Sequence, residues 1–106
     1  CTSLTTVSNI PSSVTDMEGC FQSCTSLTTV SNIPSSVTDM RYCFRNCTVL
    51  KRVKINRGYA DYKFDNTFEH CTALKDGGIK VPSLYLAIYK NNAGTMGTTK
   101  EKFSAF

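Results

Sequence analysis

At 106 residues the chain has the length of one ordinary domain, and its longest apolar run, VPSLYLAIY, is too short to span a bilayer as a helix. A net charge of +4 is too small to mark a nucleic-acid binder by itself, and with one histidine the sequence has little of the equipment of acid–base catalysis. Six cysteines are many for the length, so the redox state and spacing of the thiols enter every reading of the fold.

The chain opens on CTSLTTVSNIPSSVTDM, residues 1–17, and the same seventeen letters return unchanged at 24–40. Short-range repetition of this kind suits a structural unit that buries its apolar side only against a neighbouring copy. Cys1, Cys24, Cys47 and Cys71 are each followed by Thr and then Leu, and mark steps of 23, 23 and 24 residues. Each step begins with a strand-like segment: Leu50, Val53 and Ile55 follow an L-x-x-L-x-L spacing, and Leu4 with Val7 and Leu27 with Val30 repeat its first half. Asn9, Ile10, Pro11, Ser12 and Ser13 then supply turn and capping types that stop the strand. Next, Met17, Cys20, Phe21 and Cys24 fall at i, i+3, i+4 and i+7, which predicts a short helix with all four on one face. Met40, Cys43, Phe44 and Cys47 repeat that spacing, as do Phe64, Thr67, Phe68 and Cys71.

The run F-x-x-C-T-x-L-x-x-V followed by I-P-x-S-V-T resembles the BspA-like leucine-rich repeats of bacterial cell-surface proteins. Phe21, Cys24, Leu27, Val30, Ile33, Pro34, Val37 and Thr38 fill that pattern in order, and the resemblance covers residues 1 to about 81. The third unit keeps Leu50, Val53, Ile55, Phe68 and Cys71 but lacks the I-P-S-S-V-T segment and carries one extra residue, so its loop 56–63 has no template in the other two. The segment VPSLYLAIYKNN, with the ending EKFSAF, resembles the part that closes such stacks. The resemblance implies an α/β repeat solenoid, a strand plus a short helix per 23-residue unit, used for adhesion or partner binding without catalysis. Units then lie near 1–23, 24–46 and 47–70, with a partial unit 71–81 and a C-terminal helical cap over 82–106. Because Cys1 stands at the end of a face whose Met and Phe are missing, the chain reads as the C-terminal part of a longer array, and self-association through an open first repeat is one consequence.

Ahead of the cap, Gly78-Ile79-Lys80-Val81 reads as a last strand, and Pro82 suits a first helical turn. Leu84, Ala87 and Ile88 form the predicted inward stripe of a helix broken by Asn91, Asn92 and Gly94. Thr98 and Glu101 then suggest a capping box for a terminal helix carrying Phe103 and Phe106.

Three readings of the cysteines compete. The C-x3-C pairs at 20/24 and 43/47 mimic half-sites of a four-thiolate zinc centre, and a disulfide within either pair would bridge an awkward single helical turn. Their spacing is also the repeat period, and they share faces with Met17, Phe21, Met40 and Phe44, which favours buried free thiols. No cofactor motif is present, and the adjacent His70 and Cys71 fall on different faces of the predicted helix, so no enzyme is expected.

Charge divides the chain. Residues 1–40 hold Asp16, Glu18 and Asp39 and no base, a net −3, whereas residues 41–106 hold twelve bases against five acids, a net +7. The densest run, Lys51-Arg52-Val53-Lys54-Ile55-Asn56-Arg57, falls on the third strand, where alternation turns Arg52 and Lys54 away from the core. Beside them stand Thr29 with Ser31 and Thr6 with Ser8. These six residues form the candidate partner-binding face, hydroxyl-rich on two rungs and cationic on the third, suited to a protein or an anionic glycan. Without interleaved aromatic residues it makes a poor nucleic-acid surface, and direct membrane insertion is not expected. Exposed strands are also polar for solubility alone, and units repeated without change suit a stalk or spacer that binds nothing itself.

Overall fold

The computed structural model describes residues 3–106, so the marker cysteine Cys1 and the open helical face assigned to it lie outside the described residues. Five strands form one parallel sheet in chain order: β1 (Thr6–Val7), β2 (Thr29–Ile33), β3 (Arg52–Ile55), β4 (Ile79–Val81) and β5 (Phe103–Ala105). One α-helix, α1 (Leu86–Asn91), lies between β4 and β5.

The register of the sheet follows the sequence period. Thr6 pairs with Thr29 and Thr29 with Arg52, while Val7, Val30, Val53 and Ile79 line up one residue further on. Equivalent residues therefore stack in columns, and the inward ones are apolar: Leu27, Leu50 and Leu74 in one, Ile33, Ile55 and Val81 in another, all buried. A bulge between Val30 and Ile33 shifts the β2–β3 register, so that Ser31 and Asn32 together span the distance that Lys54 spans alone.

The segments predicted as helices in the first three units are not helical. Within each one, amides donate three residues back, as from Cys20 to Met17, Gln22 to Gly19 and Cys24 to Phe21, while the alternate amides of Met17, Gly19, Phe21 and Ser23 donate to Asp39, Arg41, Cys43 and Arg45 of the next rung. The second rung repeats this, with Met40, Tyr42, Phe44 and Asn46 donating to Lys63, Asp65, Thr67 and Glu69. A left-handed residue stops each turn before an α-helix propagates: Gly19, Tyr42 and Asn66 at one level (φ 62°, 58° and 55°) and Ser23, Asn46 and His70 at the next (φ 60°, 62° and 64°). The cost of that conformation is offset by a second inter-rung hydrogen-bond ladder across the core from the sheet. The i, i+3, i+4 spacing still selects one face, because turns of three to four residues repeat at the same interval as a helix. On the second rung Met40, Cys43, Phe44 and Cys47 are all buried, whereas on the first Cys20 is exposed and Phe21 half-buried.

Columns fill this side as well. The Phe21, Phe44 and Phe68 rings stack at 5.6 and 5.7 Å with interplanar angles of 7° and 10°. Cys24, Cys47 and Cys71 form the next column as free thiols; Cys47 donates to the Phe21 carbonyl at 3.0 Å and Cys71 to that of Phe44 at 2.9 Å. Burial pushes the Cys47 thiol up to about 11 and that of Cys71 up to about 12, which keeps both protonated at neutral pH. Thr67 replaces the cysteine of its column, and its buried hydroxyl lies 2.8 Å from the Met40 carbonyl and 2.7 Å from that of Phe64.

The loop 56–63 departs from the first two units and is fastened by side chains of its own. Arg57 donates to the carbonyls of Gly58 and Val37 and lies over the Phe64 ring, and the Tyr89 hydroxyl donates to the Arg57 carbonyl at 2.7 Å. Tyr59 stacks on Phe64 at 5.3 Å and meets Tyr89 edge-on at 5.8 Å.

The closing segment differs from its predicted form in two places. Leu84, Ala87 and Ile88 face outward, with Leu84 79% and Ile88 46% exposed, while Tyr89 is fully buried and Tyr85 and Leu86 pack on the core. The larger Tyr89 ring fills the gap between Phe64 and Phe103 and finds a partner for its hydroxyl, so it sets the orientation of α1 against the milder pull of the aliphatic stripe. The predicted terminal helix is a 3-10 turn, Lys100–Lys102, whose flanking Thr99 makes no side-chain cap, and Phe103 begins β5. Pairing with β4 at Ile79–Phe103 gives the last residues a sheet edge to complete, which outweighs a short isolated helix.

Two outcomes test this packing. Replacing Phe44, the middle ring of its column, by Ala should cost about 3–5 kcal/mol in urea unfolding, and Phe21→Ala should cost less, since that ring is half-exposed. Iodoacetamide at neutral pH should alkylate Cys20 and leave Cys24, Cys43, Cys47 and Cys71 unmodified until denaturant is added, read by peptide mass spectrometry.

Candidate interaction surface

Outward side chains of the sheet form rows across the rungs, because parallel strands in register set equivalent residues about 4.8 Å apart. One row runs Thr6, Thr29, Arg52, and the register places Gly78 beside Arg52. The other runs from Ser31 and Asn32 through Lys54 and Lys80 to Ser104. An open depression of about 370 Å³ lies between the rows, edged by Thr29, Ser31, Arg52, Lys54, Asp76 and Lys80 and floored by Gly77 and Gly78. Gly78 is sterically required, since a Cβ there would come within 2.4 Å of the Lys51 carbonyl oxygen and 2.8 Å of that of Lys75. The outer row therefore continues beside Arg52 as backbone alone.

Four of the six sequence-predicted residues, Thr29, Ser31, Arg52 and Lys54, meet at this depression. Thr6 and Ser8 are exposed on the first rung and lie outside it. Lys80 was not among the six, although the alternation Ile79-Lys80-Val81 carries the same outward signal as Arg52-Val53-Lys54. Phe106 had no such signal: its ring reaches the Lys54 ammonium at 4.4 Å only because β5 joins the sheet.

The electrostatics are one-sided. Lys54 and Lys80 are directly opposite on neighbouring strands, with Arg52 adjoining, an arrangement that costs free energy through like-charge repulsion. Asp76, the one acid at the rim, is paired with Lys102 at 3.1 Å. None of Arg52, Lys54 and Lys80 has an ion pair among the described residues.

On the turn side several charges are paired within the fold. Asp16, Glu18 and Asp39 bring carboxylate oxygens within 4.8 Å of one another, and among the described residues this is the one group of metal-ligand types so clustered. Arg41 already pairs with two of the three, at 2.7 Å from Asp39 and 3.6 Å from Glu18, and its hydrogen bonds hold the Asp39 carboxyl below the usual range. The thiols, one per rung in each column, do not form a group of this kind among the described residues. His70 is exposed beside Glu69, while the neighbouring Cys71 is buried and bonded to Phe44.

A parallel sheet built one strand per rung, with columns of Leu, Val, Ile, Phe and Cys at the repeat period, defines a leucine-rich-repeat module. The chain belongs to the BspA-type leucine-rich repeats: the family model described as "BspA type Leucine rich repeat region (6 copies)" matches residues 1–92, through the end of α1. No curated protein and no solved structure matched the chain. Among the described residues no helix is long and apolar enough to cross a membrane.

If the lysine row is held together against its own repulsion, Lys80→Gln should raise stability by about 0.2–1 kcal/mol in low-salt urea melts. The gain should vanish near 1 M salt, where charges one strand apart are screened.

Proposed function

We propose that the chain is a non-catalytic interaction module of a cell-surface protein, a short solenoid segment that binds an anionic partner through its outward strand face. The observation that carries this reading is the uncompensated cationic cluster of Arg52, Lys54 and Lys80 around the depression. A fold that needs these strands only for their inward side has no use for two opposed lysines, and their repulsion is relieved when an anion lies between them. Thr29 and Ser31 continue the face with hydroxyls that donate to carboxylate or sulfate oxygens, and an extended acidic peptide or acidic glycan spans both rows. Residues 82–106 act as the closing cap, for which the burial of Tyr89, Met96 and Phe103 speaks. Surface location rests on family membership.

A second reading, a spacer that displays other domains, draws on the identity of residues 1–17 and 24–40, since a surface shaped for one ligand tends to vary from rung to rung.

Heparin and poly-L-glutamate serve as probes in calorimetric titrations at low and physiological salt. The Lys54→Gln/Lys80→Gln variant should bind at least about tenfold more weakly, whereas Lys90→Gln/Lys100→Gln, of equal net charge, should bind like the unaltered chain. Equal weakening by both variants reduces the effect to net charge, and absence of binding to either probe favours the spacer.

A further inference from the structure

The loop 56–63, where the third unit departs from the repeat, builds a second surface feature on the opposite charge principle. Tyr59, anchored between Phe64 and Tyr89, forms one wall of an open pocket of about 290 Å³ completed by Asp61, Tyr62, Asp65, Asn92 and Thr95. Tyr62 is 80% exposed and left-handed at φ 65°, a backbone conformation that costs free energy in a residue whose ring gains little burial in return. No ion pair or side-chain hydrogen bond engages Asp61 or Asp65 among the described residues. Lys63, adjacent in sequence, is not among the residues that line the pocket. Asn92 donates one Nδ2 hydrogen to the Ile88 carbonyl at 2.8 Å, which leaves its Oδ1 as an acceptor and one further N–H as a donor. The Tyr59 phenol is pushed up by burial and then by the fields of Asp61 and Asp65, in keeping with a negative potential there.

The pocket thus presents two aromatic rings, two free carboxylates and an amide oxygen, with no cation among its walls. Donors on a positively charged group satisfy all of these at once: the carboxylates and amide oxygen take its N–H bonds, and the ring faces attract its charge. We propose that this pocket binds a primary alkylammonium group, whose sources include a lysine side chain of a partner and a free polyamine. The site stands independently of the cationic strand face, which lies on a different set of residues.

Amide-resolved NMR titration of the 15N-labelled chain tests it, with n-butylammonium chloride against the isosteric neutral butan-1-ol and against glucose. Saturable shifts confined to residues 59–66 and 92–95 are expected with the ammonium alone. Asp61→Asn/Asp65→Asn should weaken them by about tenfold or more, the loss of two partly screened charge contacts, while unchanged strand amides report an intact fold. An end-blocked Gly-Lys-Gly peptide and spermidine, titrated next, assign the source: tighter binding of the peptide points to a partner's lysine, and tighter binding of spermidine to a polyamine. The proposal is overturned if n-butylammonium gives no saturable shift at these residues, if butan-1-ol or glucose shifts them equally, or if the double variant binds the ammonium unchanged.

Discussion

Everything in this molecule depends on backbone hydrogen bonding between rungs on two sides of one core. A parallel sheet joins β1 to β5 on one side, and on the other the alternate amides of each turn segment reach the carbonyls of the next rung. Two ladders leave each rung no freedom to slide, so equivalent residues must stack on one another. A column favours residues that pack well against the equivalent residue of the next rung, as the stacked rings of Phe21, Phe44 and Phe68 do. The same constraint allows left-handed Tyr42, Asn46 and Asn66, since each turns its amide toward an acceptor in the neighbouring rung.

Where the pattern lapses, side chains take over from the backbone. The third unit lacks the I-P-S-S-V-T segment, and Arg57 and Tyr59 brace its loop through a carbonyl of the second rung and the rings of Phe64 and Tyr89. Tyr89 and Phe103, both from the closing segment, finish that aromatic group. Through Tyr89, α1 is tied to the irregular loop as well as to β5. The acidic pocket is a product of this junction, combining loop residues with Asn92 and Thr95 beyond α1.

Charge is laid out by the same stacking. Turn-side charges meet partners across rungs, as in Arg45 with Glu69 at 2.5 Å and Arg41 with Glu18. On the outward strand face the stacking instead sets Lys54 against Lys80, and no acid is aligned with them. Two surfaces of opposite sign result, each carrying charges that the fold does not itself neutralise. Exposed pairs contribute little to stability either way, so such placement is cheap for the fold and consequential for any partner.

The amino-acid sequence by itself determined the family, the repeat period and the inward columns of Leu, Val, Ile and Phe, because an exact repeat leaves one register and strand alternation leaves one inward side. It also placed Arg52 and Lys54 outward, and the alternation at Lys80 was legible by the same rule. The turn segments were not, because apolar residues at i, i+3 and i+4 suit an α-helix and a chain of three-residue turns equally, and the choice rests with acceptors one rung away, 22 or 23 residues on in sequence for the first two units and 28 or 29 for the third. Tertiary structure alone decided that Tyr89 rather than Leu84 and Ile88 turns inward, since the vacancy it fills is lined by residues 64 and 103. It alone made Phe103–Ala105 a strand, for an unpaired edge at β4 is a property of the assembled sheet and leaves no mark on the sequence near the chain's end.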